Sequence, residues 1–309
     1  MPYPQPLKVI YIMSFSRSGS TLLDIILGNH KQIYSCGELM RLISHGWINQ
    51  ELCSCHEKIT ECEFWSEVIN EWQKETKLEP EELLGLQNKY ERLRSLPIVL
   101  INRVRPSKSF RAYQAATLSL LELVAKKAGK KIIIDSSKST ARFLALSSIK
   151  NLKIQPIHLV RDSRAVAWSM AKPYKQDLTQ GIEQDMPSES LTKTAINWLF
   201  FNLQVCIVSC LSGIKKPLLV RYEDLTAFPK ETLSRISNYC DCDPVSLINI
   251  LDKKAMFKIK HIAAGNRLRM KNEIKIQHDS DWENAMPEKQ KSKVTRLTEL
   301  TLKKYGYNI

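Results

Sequence analysis

The chain has 309 residues and 43% hydrophobic content, which is ordinary for a soluble globular protein and long enough for one large core. Its 46 Lys and Arg against 32 Asp and Glu give a net charge of +14, a field suited to polyanions, but no Lys/Arg block, helix-turn-helix or finger signature accompanies it, which argues against sequence-specific nucleic-acid binding. Eight cysteines in a chain of this size exclude a disulfide scaffold, and the longest apolar runs, such as 10–13 and 132–134, are too short to span a bilayer. The first six residues carry no apolar signal segment, so the sequence reading expects a cytoplasmic protein with no membrane span.

In chain order, an apolar strand is expected over 8–13, a shorter extended segment over 32–35, and further strands over 131–134, 153–160 and 217–221. Helical patterns run over 110–127, which ends in a Lys-rich turn and Gly129, over 191–211 and over 288–304. Strands alternating with helices imply an α/β fold, a mainly parallel central sheet with helices on both faces, and a site at the strand C-termini. The stretch at about 41–110 interrupts this rhythm and reads as an insertion that shapes an acceptor pocket within a single domain covering 1–309. The irregular segment 172–190, with Pro173, Gly181 and Pro187, reads as a lid or acceptor loop.

The first strand runs into Ser14-Phe-Ser-Arg-Ser-Gly-Ser-Thr21, a Ser/Gly turn leading into a helix. Unpaired backbone N–H groups and the helix dipole suit such a turn to a phosphate or sulfate group. The spacing is close to the P-loop G-x-x-x-x-G-K-[ST], but Ser14 replaces the first Gly, Ser20 replaces the Lys, and a cation stands inside the loop at Arg17. A second strand-to-helix segment, Leu159-Val-Arg-Asp-Ser-Arg-Ala-Val-Ala-Trp-Ser169, puts Arg161 at a strand end and Ser169 eight residues on. Three shorter segments follow: Cys36-Gly-Glu38, Val220-Arg-Tyr-Glu-Asp-Leu225 and Gly265-Asn-Arg-Leu-Arg269.

Together these motifs resemble those of sulfotransferases that use 3′-phosphoadenylyl sulfate (PAPS), of bacterial type and similar to carbohydrate and tyrosylprotein sulfotransferases. The resemblance implies a P-loop-like three-layer fold and transfer of a sulfuryl group to an acceptor hydroxyl, preferably of a sugar or glycoconjugate, with release of adenosine 3′,5′-bisphosphate (PAP). It implies that Arg17, Ser18, Gly19, Ser20 and Thr21 hold the 5′-phosphosulfate, that Arg161 and Ser169 hold the 3′-phosphate, and that Tyr222, Asn266, Arg267 and Arg269 complete the nucleotide site. Glu38 would be the base, with Arg17 and Lys138 of Asp135-Ser-Ser-Lys-Ser139 acting on the transferring group; the competing reading of that last segment is a helix cap with a solvent-facing Lys. His30, His45 and His261 are alternative bases, and Arg164 is expected to pair with Asp162. The Arg that follows the Ser by four residues in tyrosylprotein sulfotransferases is Pro173 here. Trp168 and Trp198, at helical positions, read as packing residues.

Cys53, Cys55, His56 and Cys62 could ligate zinc, but C-x-C is not the usual spacing. Because similar segments ending in Phe-Trp, here Phe64-Trp65, occur in bacterial sulfotransferases, the resemblance implies a structural loop, reduced or disulfide-closed, and no metal requirement. The rival functions are a P-loop nucleotide kinase or NTPase, which would need Mg²⁺ and prefer ATP, and a non-catalytic polyanion- or nucleic-acid-binding protein.

Overall fold

The computed structural model describes residues 5–173, 175, 177 and 187–309. Along the chain come β1 (Leu7–Ser14), α1 (Ser20–Gly28), β2 (Ile33–Ser35), α2 (Glu63–Thr76), α3 (Pro80–Tyr90), α4 (Leu96–Val104), α5 (Lys108–Ala128), β3 (Ile132–Asp135), α6 (Thr140–Leu146), β4 (Leu152–Val160), α7 (Ser163–Met170) and α8 (Leu191–Ser212). They are followed by β5 (Leu218–Arg221), α9 (Tyr222–Ala227), α10 (Pro229–Tyr239), α11 (Val245–Asp252), the short antiparallel pair β6 (Phe257–Lys258) and β7 (Glu273–Ile274), α12 (Asp281–Ala285) and α13 (Glu288–Lys304). The first five strands form one sheet in the order β2-β3-β1-β4-β5, with every neighbouring pair parallel.

A parallel sheet is covered on both faces, so its strands are apolar on both sides. In β1, Leu7, Val9, Tyr11 and Met13 enter one cluster with Trp65, Trp72, Leu120 and Val124, while Ile10 and Ile12 enter the other with Leu22, Ile26, Leu233 and Ile236. These are the three layers expected from the sequence. β1 is central, with β3 on one side and β4 on the other, and this is the topological switch point beside which open α/β sheets bind ligands.

Local signals explain the helix ends. Ser107 caps α5 by accepting from the Phe110 N–H at 3.2 Å, and Gly129 ends it in the left-handed region at φ +61°. Pro80 opens α3, and the Glu79 and Glu82 side chains form a capping box there.

Segment 41–110 contains a π-helical turn over Leu42–Ile48, then α2, α3, α4 and the start of α5. Trp65 and Trp72 of α2 are fully buried, and the Trp72 indole N–H donates to the Ala116 carbonyl of α5 at 2.8 Å. Of the expected lid, residues 174, 176 and 178–186 lie outside the described residues.

By length and composition α8 is apolar enough to cross a membrane, which the short-run criterion missed because Thr, Asn, Gln and Ser break the apolar runs without adding charge. One face of α8 buries Trp198, Asn202, Val205 and Val208, and Asn202 hydrogen-bonds the buried His158 of β4 at 2.9 Å. Ile196, Phe200, Leu203, Ile207 and Leu211 form an exposed stripe on the opposite face.

Candidate active site

The turn after β1 brings Arg17 to φ +62° and Gly19 to φ +91°. A Cβ on Gly19 would fall 2.5 Å from Cδ2 of Tyr222, so both the backbone angle and the ring exclude a side chain there. No side chain caps α1 and no acidic residue lies in its first turn. Its first N–H groups have no intrahelical acceptor, and the dipole adds partial positive charge. The buried Ser14 and Ser18 hydroxyls also have no hydrogen-bond partner among the described residues. Such a nest of donors is suited to an anion.

Three distant segments close on this turn. Arg161 donates through Nη1 to the Arg17 carbonyl at 3.1 Å and through Nη2 to Asp279 Oδ2 at 2.8 Å, and its guanidinium lies 4.4 Å from the centre of the Tyr222 ring. Its Nε is buried without a hydrogen-bond partner among the described residues. From the chain's far end, the Asn266 N–H donates to Thr21 Oγ1 at 3.2 Å, and Asn266 Oδ1 caps the short helical turn Arg267–Met270.

Gly37, at φ +77°, lets the segment around Ala264 approach: a Cβ there would meet the Ala264 carbonyl oxygen at 2.3 Å. The neighbouring Glu38 N–H donates to that same oxygen at 3.0 Å. The Glu38 carboxylate pairs with Lys138 Nζ and with Arg41 Nε at 3.2 Å. Burial opposes its ionisation, but Lys138 and then Arg41 outweigh burial and hold the carboxyl below its ordinary range. Ser139 does cap α6, yet Lys138 turns at φ +67° toward Glu38 instead of solvent.

Glu38 and Lys138 stand in a cleft of about 640 Å³ that also has Ser14, Ser16, Met40, Arg41, His45, Gln87, Asn88 and Arg92 in its walls. A buried carboxylate, a lysine and an uncapped helix N-terminus beside one cleft can bind a phosphorylated donor and take a proton from a hydroxyl.

The sequence profile described as the sulfotransferase family matches residues 9–245, more than three-quarters of the chain. The chain belongs to the sulfotransferase family. It is a PAPS-dependent sulfotransferase by that membership. The fold is similar to the sulfotransferase domain of the Synechococcus PCC 7002 olefin synthase, at 20% identity and TM-score 0.51, covering 100% of this chain and 98% of that one. It is equally similar to the sulfotransferase domain from the curacin biosynthetic pathway, at 18% identity and TM-score 0.51, covering 99% of each. At these identities the likeness is one of fold. No curated protein sequence matches the chain.

In this sulfotransferase the loop 17–21, Arg161, Tyr222 and Asn266 come together, and Glu38 meets Lys138. Ser169 lies in the last turn of α7, about two turns beyond Arg161, and no described contact joins the two. Arg267 is exposed, whereas Arg269 is buried and donates to the Leu52 carbonyl at 2.6 Å. Of the alternative bases, His45 reaches the cleft and lies 3.0 Å from Glu51, His30 is buried against the Asp243 carbonyl, and His261 sits among cysteines. Arg164 pairs with Asp162 at 2.6 Å, and Trp198 is packed in the core with its N–H on the Arg161 carbonyl.

Sequence reasoning missed Arg41, Gln87, Asn88 and Arg92, which come from the segment without motifs. It also missed a buried support under Lys138. Arg142 donates to Asp135 at 2.8 Å and pairs with Glu91, and Tyr113 donates to Glu91 at 2.9 Å.

Asp24 of α1 is buried beneath the site and accepts from the Ser136 hydroxyl at 2.6 Å. Burial pushes its carboxyl up to about 7 from an ordinary 3.8. Between those values the unfolded chain has lost the proton and the folded chain keeps it, so each unit of rising pH costs folding about 1.4 kcal/mol. Asp24→Asn is expected to remove this slope. Its stability relative to wild type, from urea unfolding, should improve by roughly 3 kcal/mol between about pH 4.5 and about pH 7.5; an unchanged difference would refute the buried-acid account.

Proposed function

We propose that this sulfotransferase moves the sulfuryl group of PAPS to a hydroxyl of an acceptor bound in the cleft, by direct in-line displacement. The observation that carries the reading is the Glu38–Lys138 pair in the cleft wall, next to the uncapped N-terminus of α1. The acceptor O–H loses its proton to Glu38 as the new O–S bond forms. The bond from sulfur to the 5′-phosphate oxygen breaks, and PAP leaves. Lys138 and Arg17 offset the charge on the transferring group and the bridging oxygen, and the N–H groups of Gly19, Ser20 and Thr21 hold the 5′-phosphate.

Arg161 and Ser169 would grip the 3′-phosphate, Tyr222 would flank the nucleotide, and Asn266, Arg267 and Arg269 would close the site. The unpartnered Ser18 hydroxyl and Arg161 Nε fit this arrangement, since a phosphorylated ligand supplies the acceptors they lack.

The acceptor we favour is a sugar hydroxyl. Arg41, Ser44, His45, Gln87, Asn88 and Arg92, with Leu84 the apolar exception, are the contribution of the 41–110 segment to the cleft, and such groups complement a polyhydroxylated ligand. The same segment supports its reading as an acceptor-shaping insertion in a single domain. All eight cysteines are free, which supports a reducing, cytoplasmic setting.

Calorimetric titration with PAP, ADP and ATP-Mg²⁺, on wild type and Arg161→Ala, tests the donor assignment. PAP should bind without metal, in preference to both ADP and ATP-Mg²⁺. Loss of Arg161 should weaken PAP at least about tenfold, since charge-assisted bonds contribute about 1.5–3 kcal/mol. A preference for ATP-Mg²⁺ would return the chain to the kinase reading.

A further inference from the structure

From Cys53, Cys55, Cys62 and His261 we infer a zinc site that fastens the start of the 41–110 segment to the segment 259–266. The three sulfurs and a ring nitrogen of His261 lie within 4.8 Å of one another. In a tetrahedral site with Zn–S near 2.3 Å and Zn–N near 2.0 Å, ligand atoms stand roughly 3.5–3.8 Å apart, so small rotations of these side chains bring all four onto one ion. His261 Nδ1 is already 3.2 Å from Cys62 Sγ. The donor set, three thiolates and one imidazole, is a common structural-zinc combination and saturates a four-coordinate ion, leaving no open position for catalysis.

Sequence proximity suggested His56 as the fourth ligand. His56 is exposed in the turn at φ +69°, and the residue that converges with the cysteines is His261, 199 positions from Cys62.

The surroundings are those of a built site. Cys53 and Cys62 are fully buried, and Cys62 stands immediately before α2 with backbone N–H groups of Phe64 and Trp65 on its sulfur. The N–H groups of Cys55 and Glu57 serve the sulfurs of Cys53 and Cys55 in the same way. The His261 ring is stacked on Phe64 at 5.8 Å, and its backbone carbonyl accepts from the Trp65 indole at 3.0 Å. These contacts fix the ring toward the sulfurs. Ser54 ties the same two segments, accepting from the Ile262 N–H at 2.7 Å and donating to the Lys260 carbonyl.

Binding releases up to three thiol protons and leaves a Zn(Cys)₃His unit of charge −1. The ion would hold 259–266 beside Gly37 and Glu38, and would thereby position both the carboxylate and Asn266. This inference does not depend on the donor or acceptor assignment.

The test is metal content by mass spectrometry of full-length protein purified under reductant and reconstituted with Zn²⁺. Wild type should retain one ion per chain after gel filtration, and Co²⁺ substitution should give the thiolate charge-transfer and tetrahedral d–d bands. Cys55→Ser and His261→Ala should weaken Zn²⁺ at least about 100-fold, since changing an outer-shell group alone costs about 10–100-fold. His261→Cys, which restores four ligands, should keep the ion, as should Cys206→Ser/Cys210→Ser, which alters thiols outside the cluster. Should wild type hold no zinc or show an octahedral cobalt spectrum, should Cys55→Ser and His261→Ala bind as wild type does, or should a Cys53–Cys62 disulfide occupy the purified protein, the inference is overturned.

Discussion

Glu38→Gln is expected to lower kcat by about 10²- to 10⁴-fold, the usual contribution of a positioned general base, with PAP affinity unchanged within about twofold. The amide keeps the shape and one acceptor for Lys138 but cannot take the acceptor's proton. Because Glu38 lies outside the loop that would hold the nucleotide, kcat and donor binding should separate cleanly.

A pH profile adds a second reading of the same residue. The base must be ionised to act, and Lys138 and Arg41 hold the carboxyl below its ordinary range against the opposing effect of burial. The acid limb of kcat/KM should therefore fall only as pH drops through that lowered value, below the usual titration of Glu. Replacing Arg41 by Ala should move the limb toward higher pH. A Glu38→Gln enzyme within a few-fold of wild type would remove Glu38 as the base and bring forward His45, the histidine that lines the same cleft.

Arg142→Met is expected to destabilise the fold by about 3–5 kcal/mol, the range seen when one partner of a buried ion pair is removed. The Arg142, Glu91 and Asp135 side chains are at most 1% exposed, so the two carboxylates would be left in the core without their cation. Glu91, whose carboxyl burial already pushes up, escapes that state by taking up a proton, which the unfolded chain does only at lower pH. The deficit measured by denaturant unfolding should thus grow as pH rises above the ordinary carboxylate range.

The substitution should also lower activity, because the position of Lys138 is inherited from this cluster. Asp135 accepts from the Ser137 N–H at 3.0 Å, and the Ser137 hydroxyl in turn accepts from the Met40 N–H at 2.9 Å. A deficit below about 1 kcal/mol would mean that the cluster is solvated or dispensable.

The sheet was legible because both of its faces are covered. Its strands had to be largely apolar, even though Gln155 and His158 interrupt β4, and the three-residue edge strand at Ile33–Ser35 matched the shorter extended segment expected over 32–35. The anion-binding turn was legible because Gly19 and its neighbours answer to backbone geometry at one place in the chain. Glu38 and Lys138 were each singled out by a motif, but their pairing joins residues 100 positions apart; the Arg142–Glu91 pair joins residues 51 apart, and nothing local distinguishes those two charges from solvated ones. Helices α2 to α4 were hidden for a related reason. They cover the sheet's helices as an outer addition, and the charged faces that α2 and α3 keep in water dilute their apolar signal.

The contact between Thr21 and Asn266 spans 245 residues. During synthesis the first strand and its turn leave the ribosome long before the segment that closes over them, so the sheet can assemble from early parts while the donor site stays unfinished. On the proposed reading of the site, ligand affinity is thus acquired late on the translation timeline, and a chain cut short after α9 would carry the loop 14–21, the Arg161–Ser169 segment and Tyr222 without the Gly265–Arg269 segment that closes over them.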